Sequence, residues 1–314
     1  KEQVLNDGGH FELSPMYHAI FLEDLLDLIN ISQTYSEVIE KTLVNKWMQI
    51  AKGMLKWLDV MTHPDGNIAF FNDAALEIAP NFKELKKYAQ RLGIQYISEK
   101  FNQITLLSHS GYIRYNSNSE IALLDVACIG PDYQPGHAHA DTLSFELSLF
   151  GQRLLVNGGT SDYGINTVRQ YERSTKAHNT VEVNEQNSSE VWSGFRVARR
   201  AYPFDLKIEE LENSVNISCA HNGYKRFDES LIHRRHWQFS KNSLIIKDQI
   251  DGYFKSACAY FHFHPYVTVT KTKNSNWNIL MPNGQQIILK VKVGETSIET
   301  SYYSPEFGKR FKSQ

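Results

Sequence analysis

Cysteine is scarce: Cys128, Cys219 and Cys258 are the only three in 314 residues, and none belongs to a CxxC pair. That excludes a disulfide framework. Each lies in an apolar, strand-like setting and reads as a small buried hydrophobe. Long apolar runs are missing too. No stretch approaches about 18 consecutive apolar residues, so no membrane-spanning helix is encoded. Charge of one sign is not in excess. Thirty-three Lys+Arg against 35 Asp+Glu leave a net charge of −2, which argues against a protein held to nucleic acid by bulk charge. A local basic groove for an anionic ligand remains compatible with that balance. GxSxG, Walker, GxGxxG and HExxH motifs do not occur, nor does an internal repeat or a low-complexity segment. The chain opens Lys1-Glu2-Gln3-Val4-Leu5, without an initiator Met or an apolar leader core. We therefore expect it to be a processed or truncated chain, the rear part of a larger protein.

What is present is aromatic and globular. Seventeen Phe, 16 Tyr and 5 Trp are far more than a solvated coil carries. The length suggests about two domains, and two periodicities divide the chain. Residues 1–103 read as helical. Ser14-Pro15 is a start signal, with Ser as N-cap and Pro at the first helical position. Ile20, Leu22, Leu25, Leu26 and Ile29 follow at helical spacing. A second apolar face runs from Val38 through Trp47 to Leu58 and stops before His63-Pro64-Asp65-Gly66. A third helix runs from an Asn81 cap to Gly93. Residues 104–314 instead show short alternating runs between turn residues, which predicts antiparallel strands stacked as a β-sandwich. The expected fold class is thus α+β, helices followed by stacked antiparallel sheets.

The sharpest local signal is Pro135-Gly136-His137-Ala138-His139-Ala140-Asp141. If this segment is a strand, His137, His139 and Asp141 share one face, each about 6.6 Å from the next. They would continue the inward row Leu143, Phe145, Leu147, Leu149. Buried imidazoles need partners: a metal, a carboxylate or a ligand. Two further segments look able to join them. Val156-Asn157-Gly158-Gly159-Thr160 has glycines that permit close backbone approach, and Lys176-Ala177-His178-Asn179-Thr180 heads another strand. Between and beyond them lie Tyr163, Arg169, Tyr171, Arg173, Arg196, Arg199 and Arg200. Guanidinium groups suit carboxylates and sulfates, although a solvated edge would carry the same residues. Phe261-His262-Phe263-His264 reads as structural, and His233 and His236, which flank Arg234 and Arg235, read as surface.

Gly9-His10-Phe11-Glu12-Leu13-Ser14-Pro15-Met16-Tyr17-His18, the His137 motif, Asn157-Gly158-Gly159-Thr160, Ala177-His178-Asn179-Thr180 and Tyr302-Tyr303-Ser304-Pro305-Glu306-Phe307-Gly308 resemble, in order, the motifs of the heparinase II/III-like polysaccharide lyases. The resemblance covers nearly the whole chain. It implies the last helices of an incomplete (α/α) toroid followed by stacked antiparallel sheets. It also implies β-elimination on a uronic-acid polysaccharide such as heparan sulfate or alginate, with an anionic polysaccharide as partner and a periplasmic or secreted setting. In that alignment Tyr17 is the acid/base, its phenolate favoured by nearby cations and the helix terminus. His137 stands at the substrate; Tyr163 or Tyr171 is the candidate for a second phenol, Tyr163 being the one assigned a catalytic role. Glu12, Arg169, Arg173 and Asn179 are the expected substrate contacts. His139, Asn157 and His178 align with zinc ligands that brace the sheet domain. Here the chain departs from the family, which usually has Asp where Asn157 stands; a neutral amide is a poorer zinc ligand than a carboxylate. The family's carboxylate-polarising pair on earlier helices would lie upstream of Lys1. Two other readings compete: a non-catalytic polysaccharide-binding protein on the same scaffold, and a cupin-like metal oxygenase built on the HxH pair.

Overall fold

The computed structural model describes residues 2–98, 100–272 and 276–314. Three helices come first: α1 (Pro15–Thr34), α2 (Lys41–Val60) and α3 (Phe82–Arg91). The start of α1 follows from its sequence. Ser14 caps it by accepting the Tyr17 N–H, and Pro15 occupies the first turn, where its missing N–H costs nothing. Asn81 and Glu84 cap α3 reciprocally as a capping box. Leu22, Leu26 and Ile29 of α1 are buried against Met54, Leu55 and Leu58 of α2 and Leu85 of α3. Val38 departs from the sequence reading. It lies before α2 and is exposed, because the helical face begins only at Val44.

The second half opens with a five-stranded antiparallel sheet in chain order: β1 (Ile104–Leu107), β2 (Tyr112–Asn116), β3 (Glu120–Asp125), β4 (Phe145–Leu149) and β5 (Gln152–Leu155). A short helix, α4 (Thr167–Glu172), and a strand, β6 (Val181–Val183), lead to a small hairpin of β7 (Val191–Trp192) and β8 (Arg196–Val197). A four-stranded meander follows: β9 (Pro203–Glu210), β10 (Ser214–His221), β11 (Ile232–Ser240) and β12 (Ser243–Asp251). Next come β13 (Ala257–Ala259), paired with β6, and the trio β14 (Thr268–Lys271), β15 (Trp277–Leu280) and β16 (Gln286–Leu289). β17 (Ser301–Tyr303) and β18 (Phe311–Ser313) pair last.

The five- and four-stranded sheets bury their facing sides against each other. Ile113, Tyr115, Leu124, Phe145 and Leu147 meet Val215, Ile217, Trp237 and Phe239, and the rings of Tyr115 and Phe239 stack at 3.9 Å. Burial alternates along β11, as a pleated strand with one buried face requires. Each of these large side chains contributes about 1.5–3 kcal/mol on burial. The other face of β4 turns toward the helices. There Glu146 accepts from His63 Nε2 at 2.8 Å and from the Asn157 N–H at 2.8 Å.

Several expectations fail here for identifiable reasons. Residues 137–144 are irregular rather than strand; Leu143 adopts φ 64, and the ladder starts only at Phe145. His233 is fully buried, not surface, because odd positions of β11 face inward. It donates to Asp248 at 2.7 Å and accepts from His221 Nε2 at 3.1 Å. Arg235 of the same face is also buried. Of the cysteines only Cys219 is buried; Cys128 and Cys258 are exposed, at sites outside the sandwich core.

Candidate active site

Tyr17 projects from the first turn of α1. Ser14 holds that turn twice, accepting the Tyr17 N–H at 3.2 Å and donating its own hydroxyl to the Asp73 carbonyl at 2.5 Å. The Tyr17 hydroxyl lies 2.9 Å from the Tyr163 hydroxyl. Its ring rests on His137, with centroids 3.9 Å apart. Tyr163 is walled by Phe307 at 4.9 Å and Phe195 at 5.1 Å. Tyr171, the other candidate phenol, turns away to Ser301 Oγ at 3.2 Å. The front helix and the sheet half thus converge on one cleft.

At the back of this cleft sits Asp73, which sequence reasoning missed. It lies in the α2–α3 connection between Phe70-Phe71 and Ala74-Ala75. An ionisable group in so apolar a run signals burial, and burial demands partners; that was the available clue. Asp73 is fully buried. One carboxylate oxygen accepts from His139 Nε2 at 2.8 Å, and the other from His137 Nδ1 at 2.9 Å and Arg169 Nη2 at 2.7 Å. Arg169 Nη1 closes a bidentate pair. Burial alone would raise this carboxyl, but the donors from His137, His139 and Arg169 outweigh it and hold the group well below the usual carboxylate range. An ionised Asp73 fixes the tautomer of His137 with its proton on Nδ1, leaving Nε2 as an acceptor on a ring that is 19% exposed.

The phenols behave differently from the sequence expectation. Burial raises Tyr17 above its ordinary value, and the hydrogen bond from Tyr163 and the charge of Arg169 only partly offset it. Burial and the Asp73 charge raise Tyr163 strongly. Both shifts favour the protonated phenol at neutral pH, so the Tyr17 hydroxyl has a proton to give. Arg169, the cation whose charge lowers Tyr17, is already paired with Asp73.

Beside Asp73 lies a second cluster. Ligand atoms of His139, Asp141 and His178 all come within 4.8 Å of one another, and all three residues are buried. His178 Nδ1 donates to the Ser174 carbonyl at 2.7 Å, and His139 Nε2 donates to Asp73. In neutral rings His178 Nε2 and His139 Nδ1 therefore both present lone pairs, and they face each other at 3.0 Å. Asp141 Oδ2 is buried without a hydrogen-bond partner among the described residues. Two opposed imidazole lone pairs and an orphaned carboxylate oxygen suit a metal cation, with Asp73 and the Ser174 carbonyl orienting the rings from behind. The carboxylate in this group is Asp141. Asn157, expected as a ligand, spends its amide on Ser144 Oγ at 3.5 Å and the Asn179 N–H at 3.4 Å.

Three expected substrate contacts are placed elsewhere. Arg169 and Arg173 are fully buried. Arg173 donates to the carbonyls of Ala138 at 2.9 Å, Gly194 at 3.2 Å and Arg196 at 3.2 Å. Asn179, also buried, bonds the Phe145 and Val156 carbonyls at 2.9 and 3.0 Å. These are braces, since buried donors this fully engaged cannot also meet a ligand. Glu12 does line the cleft, which holds about 670 Å³ between Glu12, Tyr133, Gly136, His137, Phe195 and Arg196.

A helical segment abutting stacked antiparallel sheets, with a tyrosine and a histidine meeting between them, defines the class. The chain belongs to the heparinase II/III family: residues 102–314 match the model described as heparinase II/III-like, C-terminal, and residues 1–96 that of the heparinase II/III N-terminus. A heparin-sulfate lyase of Bacteroides stercoris is 27% identical over 269 residues, which is 80% of this chain and 38% of that protein. One from Pedobacter heparinus is 25% identical over 209 residues, 60% of this chain and 30% of that protein. Among solved structures, heparinase III superposes with a TM-score of 0.78 at 18% identity, over 99% of this chain and 52% of that one. Heparan sulfate lyase HepC from Pedobacter heparinus gives 0.74 at 19% identity, over 99% of this chain and 50% of that one. This chain thus spans about half the length of those structures and less of the curated relatives.

Proposed function

We propose that this chain carries the catalytic cleft of a lyase that cleaves a uronic-acid-containing anionic polysaccharide by β-elimination. The observation that carries the reading is the Tyr17–His137 contact, with Tyr163 on one side and Asp73 on the other. His137 Nε2 is the base. It takes the C5 proton, and the C5–H electron pair forms the C4–C5 double bond as the C4–O4 bond breaks. The O4 oxygen leaves with its electron pair and takes the Tyr17 proton. Tyr163 donates to the phenolate so formed. Asp73 stabilises the imidazolium without itself taking the proton, as a buried orienting carboxylate does. A positioned acid or base of this kind contributes about 10²–10⁴-fold. His139, Asp141 and His178 would hold a zinc ion, which supplies bracing of the loop at 137–144 against the segment at 174–179. An extracytoplasmic setting accompanies the reading, since acidic polysaccharides are met there.

The test is the ultraviolet absorbance of the unsaturated uronate product during incubation with a panel of uronate polymers. Growth of the signal, lost in Tyr17→Phe, supports the lyase. Retention of a polymer with no cleavage by the intact protein would favour the non-catalytic reading instead. The oxygenase alternative finds no acidic third ligand on a barrel strand among the described residues: Asp141 lies in an irregular loop beside stacked sheets.

A further inference from the structure

The run Arg196-Val197-Ala198-Arg199-Arg200 holds three guanidinium groups, and the fold treats them differently. Arg199 is paired with Glu190 at 2.5 Å, and Arg200 with Asp132 at 3.1 Å. The Arg196 side chain has no ion pair or hydrogen bond among the described residues, and it lines the cleft beside His137. Its backbone is not free. The turn between β7 and β8 is pinned from α4 and its C-cap residue: Arg173 holds the Arg196 carbonyl at 3.2 Å, Arg169 holds the Gly194 carbonyl at 2.9 Å, and Gln170 holds the Ser193 carbonyl at 2.5 Å. The buried arginines that cannot touch a ligand thus fix the backbone of one that can. Preorganisation of this kind lowers the cost of binding. Phe195, the preceding residue, is 41% exposed. It stands edge-on to His137 at 5.8 Å and is backed by the Arg169 guanidinium at 5.3 Å, so an apolar face is offered next to the charge.

We propose that Arg196 is the anion-reading residue of this cleft, binding a carboxylate or sulfate on the sugar that flanks the cleaved bond while that sugar packs on Phe195. Glu12, which lines the same cleft, makes the pocket selective. It accepts from hydroxyl or amide donors and repels a second anionic group. The inference rests on the lyase reading for its substrate, but its test has a separate readout.

Arg196→Gln and Arg196→Lys are compared with wild type in the intact protein, on sulfated and desulfated forms of one uronate polymer. KM and kcat are measured, together with retardation in gels containing the polymer, the latter in a Tyr17→Phe background. The expected result for Arg196→Gln is a rise in KM of about tenfold, the size of one charged hydrogen bond, with kcat within about twofold. Arg196→Lys should recover part of the loss. A penalty confined to the sulfated form identifies sulfate as the group read; an equal penalty on both identifies the carboxylate. Unchanged KM and retardation in a chain that still cleaves would overturn this inference and leave the lyase standing. Arg196-dependent retardation without cleavage by wild type would overturn the lyase and leave the anion site. Absence of both retardation and cleavage overturns the two together.

Discussion

Asp73 and His137 meet at 2.9 Å across the boundary between the helical half and the sheets. The carboxylate comes from the α2–α3 connection and the imidazole from the loop before β4, and the carboxylate, held as well by His139 and Arg169, orients the imidazole. Asp73→Asn should therefore act twice. It removes the anion that fixes the His137 tautomer, lowering kcat by about 10²–10⁴-fold. It also leaves the Arg169 charge buried and unpaired, which costs about 3–5 kcal/mol. Steady-state kinetics and urea unfolding measure the two effects. A normal kcat in Asp73→Asn would show that the pair is not catalytic.

The two phenols should separate by kinetics. Tyr17→Phe removes the proton donor and lowers kcat by about 10²–10⁴-fold while leaving the thermal midpoint nearly unchanged, because its ring packing remains. Tyr163→Phe removes only the donor to Tyr17 and should cost about 0.5–1.5 kcal/mol of barrier. Equal losses in both variants would reverse the assignment.

The pH–rate profile follows from the direction of the Tyr17 shift. An acid must be protonated to act, and burial raises Tyr17 above its ordinary value near 10. Activity is present below that raised pKa and is lost as pH rises through it. The alkaline limb of kcat should therefore lie above about pH 10. A limb near pH ~8 would point to another donor.

The metal assignment can be read without turnover. After dialysis against chelator and reloading, wild type should bind about one zinc per chain and Asp141→Asn should bind it much more weakly. Asn157→Ala should change affinity little, because its amide is committed to Ser144 and Asn179. Zinc should raise the thermal midpoint of wild type, the rise growing with the logarithm of free zinc above its Kd. A larger loss in Asn157→Ala than in Asp141→Asn would restore position 157 as the ligand.

Stability should fall on mild acidification. Burial lowers His18 to about 3, and His10 and His262 to about 4. His18 is held neutral between the His10 N–H at 3.1 Å and the Met54 carbonyl at 2.9 Å. These imidazoles are neutral in the fold while the unfolded chain takes up protons below about 6.5. The native state is thus favoured fully above that value and loses the advantage as pH falls toward about 4. Buried Asp73 and Asp248, held low by their donors, extend the loss to lower pH. Urea midpoints from about pH 7.5 to about pH 4.5 measure it; a flat profile would contradict the neutral assignment.

Local signals were legible where local physics decides. Ser14-Pro15 started α1, Asn81 capped α3, and the short alternating runs after residue 104 announced antiparallel strands. That Tyr17 and His137 serve one site was implied by the family resemblance, not by any local signal. What could not be read was set by long-range packing. Asp73 has no histidine near it in sequence, so its three donors were invisible. The 137–144 segment alternates like a strand but cannot be one, since its polar groups are spent on Asp73, Asn72 and one another. Arg169 and Arg173 looked like ligand contacts because nothing local reveals that α4 buries them.

Gly159 has φ 73, and a Cβ there would stand 2.2 Å from the Ser304 carbonyl oxygen. That tight seam locks residues 301–307 beside the reacting groups and brings Phe307 onto Tyr163. The cleft is therefore closed by contacts among segments remote in sequence, Tyr17 and Tyr163 alone being 146 positions apart. Such loops are slow to close. On refolding, the helices and meanders should acquire their spectroscopic signatures early, and the paired phenols should assemble only in the final step. Regain of function then becomes a stricter gauge of completed folding than circular dichroism.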